Sequence, residues 1–139
     1  MLERVLGPSL DSRFRPLVVL SAVVAAVAHI PVIKPHLSEA PYMGALFILL
    51  TAACLALAAT LTFHDGIVVY ALSILTCGLA VIGYAATRLV AFPMLSDDVG
   101  NWLEPLGVVS IITESLVVVS ACFAIRSSRR AHATRSQLA

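Results

Sequence analysis

The chain has 139 residues, of which 60% are hydrophobic and 12% are charged, and its formal net charge is +1. Soluble domains carry about twice that share of charged residues. The mean hydropathy of +0.98 indicates lipid surroundings, because a soluble domain this small leaves roughly a third of its chain's surface in water. These values exclude an ordinary cytosolic enzyme and a disordered chain, and the small net charge excludes a nucleic-acid binder.

Four apolar stretches are long enough, or nearly so, to cross about 30 Å of hydrocarbon as helices. They are predicted at residues 16–33, 41–63, 67–92 and 105–125. Proline begins three of them, where its missing N–H costs nothing, and Pro93 ends the third. We therefore predict an all-α integral membrane protein with a four-helix bundle as its single domain (residues 16–125). A cytoplasmic N-terminal segment (residues 1–15) precedes it, and a basic cytoplasmic tail (residues 126–139) follows.

The first stretch also imitates a secretory signal. Arg4, Arg13 and Arg15 precede a short apolar run that ends in Ala26-Val27-Ala28, as before a cleavage site. Cleavage there would make His29 the new N-terminus. We expect the segment to be retained as a transmembrane helix.

Basic residues predict the orientation of the bundle. Seven of the nine lysines and arginines flank the first and last spans: Arg4, Arg13, Arg15, Arg126, Arg129, Arg130 and Arg135. The positive-inside rule places that side in the cytoplasm, so both termini are predicted to be cytoplasmic and the protein to lie in the inner (plasma) membrane. The two outer loops are then acidic apart from Lys34 and Arg88, and Trp102 is predicted at the level of the lipid headgroups.

Several other polar residues have ordinary interpretations. Three cysteines lie within apolar spans and form no CxxC motif: Cys54, Cys77 and Cys122. We predict that they are small buried residues without a disulfide framework. His64 and Asp65 at the inner turn, and His132 in the tail, are predicted to be interfacial.

Glu114 is the most informative residue. It lies ten residues after Glu104, about 15 Å along the fourth helix and near the bilayer midplane. A carboxylate there costs about 2.5–3.5 kcal/mol, so Glu114 should face the bundle and have a partner or be protonated. Small or polar residues share its helix face: Gly107, Ser110, Val117 and Ala121. Two interpretations stay open, an ion, proton or ligand site and a structural group that sets helix register.

Arg88 is the predicted partner of Glu114. Side chains lean toward the N-terminus of their helix, so Arg88 on the third span reaches inward while Glu114 on the fourth reaches outward. Two long side chains would close an axial gap of about 8–9 Å, and pairing would solve the burial of both. We predict both as residues that contact a bound ligand or cofactor. The alternative is that Arg88 extends to the outer headgroups.

The predicted first outer loop brings His29, His36 and Glu39 within eleven residues. Neutral imidazoles suit copper and zinc, and a carboxylate adds charge. Pro31 and Pro35 are expected to stiffen this loop. The alternatives are solvated histidines and a Glu39 that caps the second span.

Two further features support a site at the outer mouth. His29 continues a stripe with Ser21 and Ala25, so it should face the bundle. Glu104 from the second outer loop, with Asp97 or Asp98, would complete a ligand set.

The three outer segments together resemble a known pattern. They read His29-x6-His36-x2-Glu39-Ala-Pro, then Thr87-Arg88-Leu-Val-Ala-Phe-Pro93, then Glu104-Pro-Leu-Gly107. This pattern resembles that of a group of small four-helix membrane proteins of unknown function from actinobacteria and related bacteria. Ala91 and Phe92 stand where that group has Gly and Leu, and Ser110 stands where Asp is common. The resemblance implies the four-helix topology and groups the polar residues of the mouth, but it implies no activity.

We therefore predict a small membrane protein with a polar site at its extracytoplasmic mouth that binds a metal ion, copper or zinc. The predicted metal ligands are His29, His36, Glu39 and Glu104. The alternative is a non-catalytic accessory subunit of a larger respiratory or transport complex, or a homo-oligomer, docked through small residues such as Gly78, Gly83 and Ala86. An enzyme is disfavoured, because the sequence shows no nucleophile–base pair, phosphate loop or cofactor motif.

Overall fold

The computed structural model describes the backbone of residues 5–138 and the side chains of residues 5–130. Within that range the chain forms four long helices and no named strand: α1 (Arg15–Glu39), α2 (Pro41–Phe63), α3 (Ile67–Leu89) and α4 (Pro105–Leu138). All four are long and apolar enough to span a membrane, α4 as far as Arg130. The all-α four-helix prediction is confirmed, and the chain is a multi-pass membrane protein.

Short connections make successive helices antiparallel. Ala40 alone separates α1 from α2, and residues 64–66 separate α2 from α3. We call the end of the bundle with residues 5–14 and the 64–66 turn the terminal end, and the end with Ala40 and residues 90–104 the loop end. Among the described helices, α1 packs against α2 and α4, whereas α3 packs against α4 and, less extensively, against α2.

The predicted first outer loop is wrong, because α1 continues to Glu39 instead of ending at residue 33. Pro31 and Pro35 lie inside this helix and therefore do not stiffen a loop. Each removes one backbone hydrogen bond. Leaving the helix inside hydrocarbon would free more polar groups than the two prolines do, which is why membrane helices tolerate proline. The other ends also move: α3 ends at Leu89 instead of residue 92, and α4 runs past residue 125.

Small side chains fill the interior of the bundle, and large aliphatic side chains cover its outside. Alanines from three helices are buried: Ala22, Ala25, Ala26, Ala28, Ala58, Ala121 and Ala124. Leu49, Leu79 and Ile82 are exposed. Lipid tails accept large aliphatic groups as well as a protein core does, whereas small residues let helix backbones approach. The distribution is therefore the one expected in a bilayer.

The N-terminal segment closes the terminal end. The Leu10 N–H donates to the Asp65 carbonyl at 2.8 Å, and the Ser12 N–H donates to Asp65 Oδ2 at 2.6 Å. A Cβ on Gly66 would overlap the Leu6 carbonyl, so only glycine allows this approach. Asp65, predicted to be interfacial, is instead buried and 3% exposed. The predictions for Arg4, His132 and Arg135 fall outside the residues whose side chains are described.

Candidate functional site

An acid and a base face each other between α1 and α4. His29 Nε2 lies 3.5 Å from Glu114 Oε1, and the two residues are 4% and 1% exposed. His29 lies ten residues before the loop end of α1, and Glu114 lies nine residues into α4. At about 1.5 Å per residue, both are therefore roughly 14–15 Å from the loop end. The predicted Arg88–Glu114 pair is wrong, because the α1 helix carries His29 to the depth of the carboxyl.

The backbone determines which nitrogen of His29 faces the carboxyl group. Nδ1 lies 2.6 Å from the Ala25 carbonyl oxygen. A carbonyl only accepts hydrogen bonds, so Nδ1 carries a proton and donates it. In the neutral ring, Nε2 then presents a lone pair to Glu114. A carboxylate and a lone pair repel each other, so the contact is attractive only when a proton lies between them.

The dyad, which is our name for His29 and Glu114, is electrically neutral only when it holds one proton between the two side chains. That proton is held either as a carboxylic acid beside a neutral imidazole or as an imidazolium beside a carboxylate. Losing it leaves a buried charge of −1, and gaining a second leaves +1, and either charge is costly in a low-dielectric interior. Oε1 makes no hydrogen bond within the described part of the chain, which leaves Nε2 as its ion-pair partner.

The predicted helix faces that carry the dyad are confirmed. On α1, Ser21 and Ala25 are buried with His29. On α4, Ser110, Val117 and Ala121 are buried with Glu114. Small side chains around both groups allow the helices to approach closely enough for the contact.

Two thiols lie next to the dyad. Cys54 of α2 and Cys77 of α3 are both 0% exposed, as predicted for small buried residues. They lie in the same core cluster, close enough to interact with each other, and the Cys54 thiol is close enough to Glu114 to interact with it electrostatically. This proximity was not predicted. The sequence does indicate it, because the two cysteines lie at similar distances from the 64–66 turn. Cys54 is nine residues before the end of α2, and Cys77 is ten residues after the start of α3.

Arg88 instead organises the loop end. Its guanidinium lies 2.8 Å from Asp98 Oδ1 and 3.3 Å from Glu104 Oε2, and 4.6 Å from the centre of the Tyr84 ring. Its carbonyl accepts a hydrogen bond from Gly100 at 2.9 Å. Arg88 is 5% exposed, so this set holds residues 90–104 against the end of α3.

The other predicted metal ligands are spread along the loop end. His36 lies two helical turns beyond His29, and its Nδ1 is 2.8 Å from the Val32 carbonyl oxygen. The rings of His36 and Phe47 pack edge-on, with their centres 4.9 Å apart. The centre of the Phe47 ring is also 5.4 Å from the centre of the His29 ring. Glu39 is exposed at the last residue of α1. It does not cap α2, which begins without a side-chain capping hydrogen bond.

These positions do not form a metal cluster. Among the residues whose side chains are described, no three His, Cys, Asp or Glu side chains are arranged to hold a metal ion. Glu104 is engaged with Arg88, and His29 with Glu114. The metal site with His29, His36, Glu39 and Glu104 as ligands therefore stays a prediction.

A second buried polar set lies at the terminal end. Tyr70 is 0% exposed, and its hydroxyl lies near the Asp65 carboxyl and Ser12. Tyr70, Ser73 and Cys77 follow one face of α3 at spacings of three and four residues, so that face is polar between the turn and the thiols. The sequence contains this spacing, but most residues around these three positions are hydrophobic, so the polar face is hard to recognise from the sequence.

Comparisons with protein families, with characterised proteins and with solved structures find no match to this chain.

Proposed function

We propose that this protein is a proton-binding membrane protein in which His29 and Glu114 hold one exchangeable proton between α1 and α4. The observation that carries the proposal is the burial of an acid and a base 3.5 Å apart, with the Ala25 carbonyl directing the lone pair of Nε2 at the carboxyl. A buried dyad of this kind is neutral with one proton and charged with any other number.

Proton occupancy would then act on helix packing. With one proton the dyad attracts α1 to α4. With none or with two, the buried net charge opposes that contact and favours entry of water or movement of the helices. The protein would thus respond to proton binding by a change at the α1–α4 interface. A purely structural dyad would instead keep its proton at every pH at which the bundle stays folded.

Infrared difference spectroscopy on the protein in lipid vesicles separates these two roles. Titration from acidic to alkaline pH should change the carbonyl band of a buried carboxylic acid, or the imidazolium bands, in the wild type. Glu114→Gln should abolish the change at Glu114. Glu104→Gln is the matched control, because Glu104 immediately precedes α4 and its side chain is 35% exposed. A folded wild type with no band change at either residue would contradict the proposal.

The orientation belongs to the same proposal. Arg13 and Arg15 at the terminal end, with the arginines that follow residue 125 on α4, support a cytoplasmic terminal end. The dyad would then lie in the extracytoplasmic half of the bundle. Labelling of single introduced cysteines at residues 97 and 128 with a membrane-impermeant maleimide on intact cells tests it. Residue 97 should react and residue 128 should not. The reverse pattern would show that the terminal end faces outward and would contradict the proposed orientation.

The metal-ion hypothesis keeps its own test. The metal content of the purified protein is compared with that of the His29→Ala/His36→Ala variant. Copper or zinc bound at a fixed ratio to the wild type and lost from the variant would support a metal site at the loop end. Equal content near zero in both would remove it.

One observation favours the accessory-subunit role as a second candidate. A Cβ added at Gly78 or at Gly83 of α3 would meet no atom of the described residues within 4 Å, so this part of the chain leaves both positions uncovered and another helix can approach closely there. Purification in mild detergent at a fixed ratio to a larger membrane protein would support this role. Retention of that ratio by a Gly78→Leu/Gly83→Leu variant would count against docking through α3.

A further inference from the structure

The thiols of Cys54 and Cys77 form a pair inside the hydrocarbon region. They lie on neighbouring helices at nearly the same distance from the 64–66 turn that joins them. Both side chains are 0% exposed and belong to one core cluster, where the thiols are close enough to interact with each other. Cys122 is also reduced, but it is only partly buried and has no such partner thiol among the described residues.

The surroundings of this thiol pair supply a base and a route of access. Among the ionisable groups of the described helices, the dyad of His29 and Glu114 is the neighbouring acid–base set, and Glu114 interacts with both thiols. Among the four pairs of described helices that pack together, α2 and α3 share the smallest interface. A flat, lipid-soluble molecule would reach the thiols through this interface with the least disruption.

We propose that Cys54 and Cys77 are a redox site that forms a reversible disulfide, with a bilayer quinone as the oxidant. The two S–H bonds break and one S–S bond forms. The quinone takes the two electrons and, in sum, the two protons, and becomes a hydroquinone. A quinone fits because it dissolves in hydrocarbon and accepts two electrons with two protons. Water-soluble disulfides, the other oxidants of protein thiols, do not enter the hydrocarbon to this depth.

The dyad would assist the first proton transfer, a role that rests on the proposed function. When Cys54 loses its proton to the dyad, the dyad gains a charge of +1 and the thiolate carries −1. The buried set therefore stays neutral during the step. A thiolate formed without such a neighbour would be an isolated charge in hydrocarbon.

The experiment uses the full chain with Cys122→Ser, so that two thiols remain. The reduced protein in phosphatidylcholine vesicles is treated without oxygen with a fully substituted benzoquinone, which cannot form stable thiol adducts on its ring. N-ethylmaleimide then blocks the free thiols in denaturant, and mass spectrometry identifies linked peptides. We expect a Cys54–Cys77 disulfide, one hydroquinone per protein, and recovery of both thiols with dithiothreitol. The Cys54→Ala/Cys122→Ser variant should form neither product.

Two results would overturn the inference. If the small oxidant diamide leaves both thiols free, the pair cannot form a disulfide. If diamide links them and the benzoquinone does not, the quinone assignment is wrong. Glu114→Gln should slow disulfide formation at least about tenfold, because a positioned base contributes roughly 10²–10⁴-fold. Disulfide formation at an unchanged rate in that variant would remove the role of the dyad and leave the thiol site standing, whereas the infrared titration tests proton binding separately.

Discussion

A double-mutant cycle at His29 and Glu114 measures how strongly the two buried groups depend on each other. His29→Leu leaves the Glu114 carboxyl without its partner, and Glu114→Leu leaves Nε2 of His29 without one. A buried polar group that loses its partner costs about 1–3 kcal/mol of unfolding free energy. Replacing both residues with Leu removes both polar groups and keeps a similar volume. The double variant should therefore lose less stability than either single variant.

The expected coupling energy follows from these values. If each single variant loses about 1–3 kcal/mol and the double variant less than about 1 kcal/mol, the coupling is at least about 1 kcal/mol. Hydrogen bonds between membrane helices reach about 1.7 kcal/mol in such cycles and average about 0.6 kcal/mol. The dyad should lie at the upper end of that range, because both residues are at most 4% exposed.

Reversible unfolding in mixed micelles measures these energies. Dodecyl sulfate is titrated into the protein in a mild detergent, and helix content is followed by circular dichroism. His36→Leu combined with Glu114→Leu is the matched control, because His36 contacts the Val32 carbonyl of its own helix and should add independently. If the losses of the two single variants sum to the loss of the double variant within about 0.3–0.5 kcal/mol, the direct contact is refuted.

Two further substitutions test the ends of the bundle, and a third in the middle of α3 serves as a control. Gly107→Ala should lower the unfolding free energy by about 1–3 kcal/mol, because the new Cβ would overlap the Tyr84 ring. Gly78→Ala meets open space and should be neutral or stabilise by up to about 1 kcal/mol; equal effects of the two in the unfolding titration would contradict the packing at Gly107. Asp65→Ala removes the acceptor of the Ser12 N–H, so trypsin should cut the N-terminal segment faster in this variant. Unchanged cleavage with intact helices would show that this hydrogen bond does not hold the segment.

The fold was predictable because each of its determinants is local. A hydrocarbon layer of about 30 Å requires about 20 apolar residues in a helix, and this length can be counted along the chain. The starts at Pro41 and Pro105 and the turn before Ile67 agree with the structure. The end of α1 was misjudged because proline is a strong helix breaker in water. In lipid, where unpaired backbone groups cost more, Pro31 and Pro35 stay inside the helix.

The pairing of side chains was less predictable. The burial of His29 and of Glu114 followed from helix periodicity, but the choice of partner depended on depth. A first helix that ends at residue 33 leaves His29 near the mouth and Arg88 as the nearest cation to Glu114. Six more helical residues place His29 deep in the bundle, and Asp98 and Glu104 then engage Arg88 instead.

Hydropathy along the chain determined by itself that this protein has four membrane helices, because the free energy of transfer into lipid sums over one segment at a time. It also determined which helix faces are small or polar. Only the tertiary structure decided that His29 meets Glu114 and that Cys54 lies close to Cys77. Those contacts depend on the depth and the rotation of each helix relative to its neighbours, which the packing of all four helices sets together.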